Sequence, residues 1–153
     1  MPLPVPEHSP DLRLADGRSA TVVGEHTWIW TDRSAWAEQS KRVAAGSVWA
    51  EVTAIPVRLS FDTAVSIPVS CPGPGTAYDR RYGLHAASPD CDIVFITSSY
   101  GQPGDQVNAT YRITWRVTWV GSTGTAPASG TLPTMTSQAT TTLAVAEAQA
   151  LIH

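Results

Sequence analysis

Residues 107–120 read VNATYRITWRVTWV, and this stretch decides the fold class. From Tyr111 to Trp119 the odd-numbered side chains are aromatic or aliphatic, whereas arginine and threonine fill the even positions. Such alternation over many residues is typical of a β-strand with one buried face. We therefore predict a long strand whose rings lie in a core, with Arg112 and Arg116 on the opposite face.

Shorter strands are predicted on both sides of this stretch from β-branched content and turn signals. The predicted strands lie at residues 21–23, 28–30, 43–59, 59–61, 65–71, 91–97 and 136–147. The 43–59 segment forms one or two strands, and a tight hairpin at 62–64 joins 59–61 to 65–71. In the last strand Leu143 and Val145 face inward. Residues 31–42 leave a short helix and an irregular connection equally open, and residues 121–133 are predicted as a small-residue loop. The tail, residues 146–153, could form a helical turn. Many strands and at most one weak helix predict an all-β sandwich or barrel.

The N-terminal twenty residues differ in composition from the rest. Prolines stand at positions 2, 4, 6 and 10, and Asp16-Gly17 is a turn signal. We predict a Pro-rich linker over residues 1–20, acting as an extended tether, and one β-sandwich domain over residues 21–153. This start has no charged head and apolar core of the kind a signal peptide carries. Three alternatives stay open: an export signal lies upstream of it, the protein leaves the cell by another route, or it does not leave the cell.

Two cysteines bracket a long loop rich in glycine and proline. Cys71 and Cys91 are the only cysteines, and their spacing does not resemble a metal or redox motif. A disulfide between them is the favoured interpretation, and it is typical of proteins outside the cytosol. Two reduced, buried cysteines in a cytosolic protein are the alternative. The loop between them is long for a compact domain, which is unusual unless the loop is functional or tied down.

Charge and composition argue against several partners and reactions. The formal net charge is −3 and only 15% of residues are charged, so no basic field attracts nucleic acid or anionic lipid. No apolar run approaches the length of a membrane span. The four histidines are scattered, and no serine stands in a nucleophile motif. We predict no enzyme activity, no catalytic residue, no metal and no cofactor.

The best candidates for contact with a partner lie in the loop between the cysteines. They are Tyr78, Asp79, Arg80, Arg81, Tyr82 and His85. His85 has Asp79, Asp90 and Asp92 nearby in sequence, so an acid–base pair is conceivable there, although a solvated loop histidine is the simpler interpretation. Loops at one end of a sandwich are common contact surfaces.

Several motifs together resemble a known family. They are WIW at 28–30, CPGPGTAYD at 71–79, SPDC at 88–91, SSYGQPG at 98–104, TWRVTW at 114–119 and VAEAQAL at 145–151. This set is similar to the C-terminal region of uncharacterised secreted actinobacterial proteins, over roughly residues 28–151. The resemblance implies an Ig-like, PKD-type antiparallel sandwich and an extracellular or envelope location. Residues 60–64, SFDTA, lack the Gly-Asp-Gly hairpin of that family, which favours a generic Ig-like fold over a PKD-type one.

Two functions remain open at this point. The first is a non-enzymatic binding or spacer module, secreted or displayed on the cell envelope, with an unknown protein or envelope polymer as partner. The second is a structural subunit of a virion or surface assembly, of the kind that decorates a particle. The Pro-rich start, the predicted disulfide and the threonine-rich composition favour the first.

Overall fold

The computed structural model describes residues 1–147 and shows an all-β fold. The strands are β1 Pro6–Ser9, β2 Leu12–Arg13, β3 Ser19–Val22, β4 His26–Thr31, β5 Gln39–Ala45, β6 Val48–Asp62, β7 Val69–Cys71, β8 Asp92–Val94, β9 Val107–Ser122 and β10 Pro127–Ala146. Short 3₁₀ turns lie at Arg33–Ala35, Arg80–Tyr82 and Pro103–Asp105. Among the described residues no helix has the length and apolar character needed to cross a bilayer.

The strands form two sheets. The small sheet has the antiparallel order β1-β4-β8. The large sheet has the order β2-β3-β10-β9-β6-β5, with β7 paired to β6. Its pairs are antiparallel except for β3 and β10, which run parallel. The all-β prediction is therefore confirmed, whereas the Ig-like refinement stays a prediction.

One core lies between the two sheets. The large sheet contributes Leu59, Phe61 and Tyr111, and the small sheet contributes Ile29 and Ile93, all of them buried. The rings of Phe61 and Tyr111 meet edge to face with centroids 5.2 Å apart, a favoured aromatic geometry. This core carries the apolar burial that stabilises the domain.

The long central strand confirms the sequence prediction. β9 spans Val107–Ser122, and its inward residues are buried through Val117. The Trp115 indole nitrogen donates to the Ser137 hydroxyl oxygen at 3.0 Å, so this buried donor is satisfied. Trp119 is only partly buried, and its ring lies over Gly130 on β10, where a side chain would collide with it. Leu143 and Val145 of β10 face inward as predicted.

The disulfide between Cys71 and Cys91 is present and joins the two sheets. Cys71 pairs with Leu59 in the large sheet, and the Cys91 carbonyl accepts a hydrogen bond from the Ile29 amide in the small sheet. The two Cα atoms are 5.6 Å apart, and both cysteines are buried. The cross-link therefore fixes one sheet against the other.

Beyond the small sheet, four strands continue as a flat extension that we call the arm. It consists of β5 and residues 48–54, 117–122 and 127–132. All seven residues of β5 are exposed. Val43, Val48 and Leu132 are 64%, 50% and 40% exposed, although they lie on the face that carries the core further along the sheet. The inner face of the arm is thus mostly apolar, with Gln39 and Lys41 on β5 as polar exceptions, and it is uncovered in the described chain.

Two sequence predictions near the N-terminus need correction. Residues 1–20 were predicted as a linker, yet β1 pairs with β4 and β2 pairs with β3. The Tyr111 hydroxyl also donates to the Glu7 carbonyl at 2.8 Å. The prolines do not prevent this pairing, because β1 is an edge strand and Pro is tolerated there. Between residues 31 and 42 the chain forms a single 3₁₀ turn capped by Asp32 and then enters β5.

Two predictions further along also differ, and a third is not tested. The 62–64 hairpin is wrong because β6 and β7 are joined by residues 63–68, a longer connection. The loop predicted over 121–133 is mostly strand: only residues 123–126 turn, and β10 begins at Pro127. The strand is not predictable from this segment, because its threonines and small residues show no alternation of apolar and polar side chains. The helical turn proposed for the tail falls largely on residues 148–153, outside the described residues.

Candidate functional site

The connection between the two cysteines, residues 72–90, lies on the outer face of the small sheet, and we call it the disulfide loop. Ile29 on β4 faces the core, so its neighbour Trp28 faces outward. Trp28 is nevertheless buried, because the loop covers it. Its indole nitrogen donates to the Ala86 carbonyl at 2.8 Å.

Two loop tyrosines complete this second aromatic cluster. The Tyr78 ring meets the Trp28 ring edge to face at 5.3 Å, and the Tyr82 ring lies 5.0 Å from it. The Tyr78 hydroxyl donates to the Gly83 carbonyl at 3.1 Å. Gly75 allows the start of the loop to run against β4, where a Cβ atom would meet the backbone of Ile29. The loop is therefore seated on Trp28 and held at both ends by the disulfide.

Asp79 has a structural role in the loop. Its carboxylate accepts from the Arg81 amide at 3.0 Å and caps the 3₁₀ turn Arg80–Tyr82. Arg80 and Arg81 in this turn are both exposed. Leu84, which sequence reasoning did not single out, is 86% exposed. The loop thus presents two cations, one aromatic edge and one aliphatic side chain on a rigid base.

The histidine near the loop pairs with a different carboxylate from those suggested by the sequence. The Nδ1 atom of His85 lies 2.9 Å from a carboxylate oxygen of Glu25, not beside Asp79, Asp90 or Asp92. The side chain of His85 is 78% exposed. Asp92 lies instead 3.0 Å from Nδ1 of His26 and accepts from the Ser88 amide.

Neither of these histidine pairs has a nucleophile or a third acidic group at hydrogen-bond distance. In residues 1–147 no group of three His, Cys, Asp or Glu side chains is placed to hold a metal ion. The two pairs are hydrogen-bonded contacts near the surface. The exposed side chains of the loop are accessible to other molecules.

A groove of about 630 Å³ lies at the far end of the domain, between the 13–18 turn and the 98–105 segment. Arg18 pairs there with Asp16 at 2.8 Å and donates to the Gly104 carbonyl at 2.6 Å. Hydrogen bonding to Arg18 also holds the pKa of the Asp16 carboxyl below its usual value. Tyr100, which is 85% exposed, and Glu147 also line the groove.

The outer face of the large sheet carries a cluster that the sequence reveals only in part. Arg112 and Arg116 face away from the rings, as predicted. The register of β6 against β9 places Arg58 opposite Thr114, between the two. The alternation of β9 predicts that Arg112 and Arg116 share this face. Arg58 joins them only because of a bulge between Pro56 and Arg58, which no local sequence pattern shows.

No protein-family model, curated protein or solved structure matches this chain. The similarity to secreted actinobacterial proteins therefore stays a prediction. Function has to be argued from the disulfide loop and the outer surfaces of the two sheets.

Proposed function

We propose that this protein is a non-enzymatic binding module, secreted or displayed on the cell envelope, and that the disulfide loop contacts its partner. The loop itself is the observation that carries the proposal. A rigid loop, seated on Trp28 and fixed by a disulfide, presents Arg80, Arg81 and Leu84 to solvent. Binding residues are often placed on such loops, because a rigid base lowers the entropy lost on binding.

Several further features support this location and role. The disulfide persists in an oxidising compartment, which favours the outside of the cell. The predicted Ig-like arrangement is common among cell-surface modules that bind through loops. The resemblance to secreted actinobacterial proteins points to the same place. The partner is a protein or an envelope polymer.

A sedimentation assay with isolated cell envelopes tests the loop. The double variant Arg80→Ser/Leu84→Ser removes two exposed loop side chains and leaves the contacts of Trp28 in place. The matched control is Arg33→Ser/Ile67→Ser, which removes one exposed arginine and one aliphatic side chain that is 81% exposed elsewhere. We expect the loop variant to co-sediment with the envelopes less than wild type does, while the control co-sediments as wild type does. Equal recovery of wild type and both variants would refute the loop as contact surface.

A structural subunit of a virion or surface assembly is the second candidate, and the arm favours it. The arm exposes valines on its inner face and a complete edge strand, β5. Uncovered apolar faces of this kind are typical of surfaces that pack against another molecule. Sedimentation velocity over a range of protein concentrations distinguishes the candidates. Assembly through the arm should disappear in Val43→Lys/Val52→Lys, whereas a binding module remains monomeric throughout.

A further inference from the structure

On the outer face of the large sheet, three arginines surround one threonine. Arg58 lies directly opposite Thr114, and Arg112 and Arg116 lie two residues before and after Thr114 on β9. Diagonal neighbours on one sheet face are separated by about 7–8 Å. The three guanidinium groups therefore form a zigzag across two adjacent strands, which we call the arginine cluster.

The arginine cluster is electrostatically uncompensated in the described chain. Within residues 1–147, Arg58, Arg112 and Arg116 form none of the ion pairs shorter than 4.0 Å. Asp62, diagonal to Arg112, is the nearest carboxylate by register, and Glu51 lies opposite Arg42 far along the sheet. The cluster is a local excess of positive charge, whereas the chain as a whole carries a formal net charge of −3.

Hydroxyl groups lie beside two of the cations: Thr114 is opposite Arg58 and Ser60 is opposite Arg112, whereas Ile55 is opposite Arg116. Thr114 pairs with Thr136 on β10. Two residues before Thr114 on β9, Arg112 pairs with Gln138 and donates to its side-chain oxygen at 3.0 Å. Toward the arm, Thr53, Thr118 and Thr131 form a row across three strands. Arginine forks match phosphate oxygens, and threonine hydroxyls both donate and accept hydrogen bonds. The face therefore offers partners for phosphates and for alcohol groups alike.

We propose that the arginine cluster binds a phosphodiester-linked polyol or sugar polymer of the cell envelope. A polymer of this class presents anionic groups at short repeats with hydroxyls between them, which complements the arrangement of Arg58, Arg112, Arg116 and Thr114. The proposal rests on the proposed function for its location at the envelope. It adds a second surface, on the opposite side of the domain from the disulfide loop.

Nucleic acid fits this surface less well. Proteins that bind single strands stack bases on aromatic rings placed beside their cations. Here the rings of β9 face the core. The outward ring of Trp49 pairs with Ser122, six residues beyond Arg116 on β9. This ring is covered by Arg42, whose guanidinium carbon lies 4.0 Å from the ring centre. The arginine cluster has hydroxyls, not rings, between its cations.

The test uses the whole protein and purified poly(glycerol phosphate) as the probe, with binding measured by calorimetry. The triple variant Arg58→Gln/Arg112→Gln/Arg116→Gln removes the cluster. The matched control Arg13→Gln/Arg33→Gln/Lys41→Gln makes the same change in net charge at three exposed positions outside the cluster and outside the disulfide loop. We expect the cluster variant to bind about tenfold or more weakly than wild type, since three charge-assisted contacts are lost. The control should stay within about twofold of wild type, because its charges lie outside the cluster.

Two further measurements separate the alternatives. Affinity for the polymer should fall as salt rises, and the salt dependence should be weaker in the cluster variant because fewer counterions are released. A single-stranded oligothymidine of equal charge should bind at least about tenfold more weakly than the polymer, because the cluster offers no rings for base stacking. Equal binding of both probes, or retention of polymer binding by the cluster variant, would overturn the proposal. Equal loss in the control variant would attribute binding to net charge alone and would also overturn the proposal, leaving the proposed function intact. Envelope sedimentation of the loop variant tests the proposed function separately, because that variant keeps all three arginines of the cluster and is compared with a control that keeps them too.

Discussion

At the scale of single residues, Tyr111 connects the N-terminal strand to the core. Its side chain is fully buried, and its hydroxyl donates to the Glu7 carbonyl on β1. Burial raises the pKa of this hydroxyl well above its ordinary value, so it remains a donor at any physiological pH. This single hydrogen bond helps to explain why the proline-rich segment packs onto the domain.

Replacing Tyr111 by phenylalanine should therefore weaken the fold. We expect Tyr111→Phe to lower the free energy of unfolding by about 1 kcal/mol, because a partly buried carbonyl loses its donor while the ring packing is retained. Tyr100→Phe is the control, since Tyr100 is 85% exposed. Urea unfolding followed by tryptophan fluorescence gives the two values. Equal midpoints for the two variants would show that the Glu7 contact contributes nothing.

His8 makes stability depend on pH. Its Nε2 atom lies 3.0 Å from the Ser19 hydroxyl and its Nδ1 atom 3.0 Å from the Pro10 carbonyl. Burial lowers the pKa of His8 despite the opposing charge of Asp11. The folded protein thus binds fewer protons at this site than the unfolded chain, so its contribution to stability is complete above the ordinary pKa of 6.5 and declines below it.

The expected result is a difference in slope between wild type and His8→Gln. Between about pH 7.5 and about pH 5, the thermal midpoint of wild type should fall more steeply, because the glutamine does not titrate. Differential scanning calorimetry at several pH values measures both slopes. Parallel curves for the two proteins would contradict the assignment of this titration to His8.

At the scale of elements, the disulfide and its loop act together. The bond closes a segment of 20 residues and joins the two sheets. We expect Cys71→Ser/Cys91→Ser to cost on the order of 3 kcal/mol of stability, through the entropy of the unfolded chain. Chemical denaturation measures the loss. Increased quenching of Trp28 fluorescence by acrylamide in the folded variant would show that the disulfide loop no longer covers Trp28. An unchanged free energy of unfolding would mean that the disulfide is dispensable for stability.

Sequence reasoning succeeds for some elements and fails for others for one physical reason. β9 and the inward side of β10 at Leu143 are predictable because alternation is a local pattern. The start of β10 at Pro127 and the pairing of β1 are not, because each is stabilised by a partner strand distant in sequence. In the same way, the loop residues were found from the cysteine spacing, whereas Arg58 joins its cluster only through the register of two strands.

At the scale of the whole molecule, the arm raises the question of how the protein avoids uncontrolled pairing. β5 is an edge strand in which every side chain is exposed, and such edges template the addition of further strands. Lys41 and Arg42 lie in the middle of β5, on opposite faces. An antiparallel copy of β5 centred on this strand would bring like charges together, which opposes pairing. Charged residues on edges are a common protection of this kind.

Removing these two charges should expose the edge. We expect Lys41→Thr/Arg42→Thr to self-associate at concentrations where wild type shows no pairing through β5, since threonine favours strands and adds no repulsion. Arg80→Thr/Arg81→Thr makes the same change in net charge away from the arm and controls for solubility. Sedimentation velocity, with amide hydrogen exchange to locate newly protected residues, distinguishes the cases. Protection confined to residues 39–45 in the associated species would place the contact at β5, and association of the control to the same extent would attribute it to net charge alone.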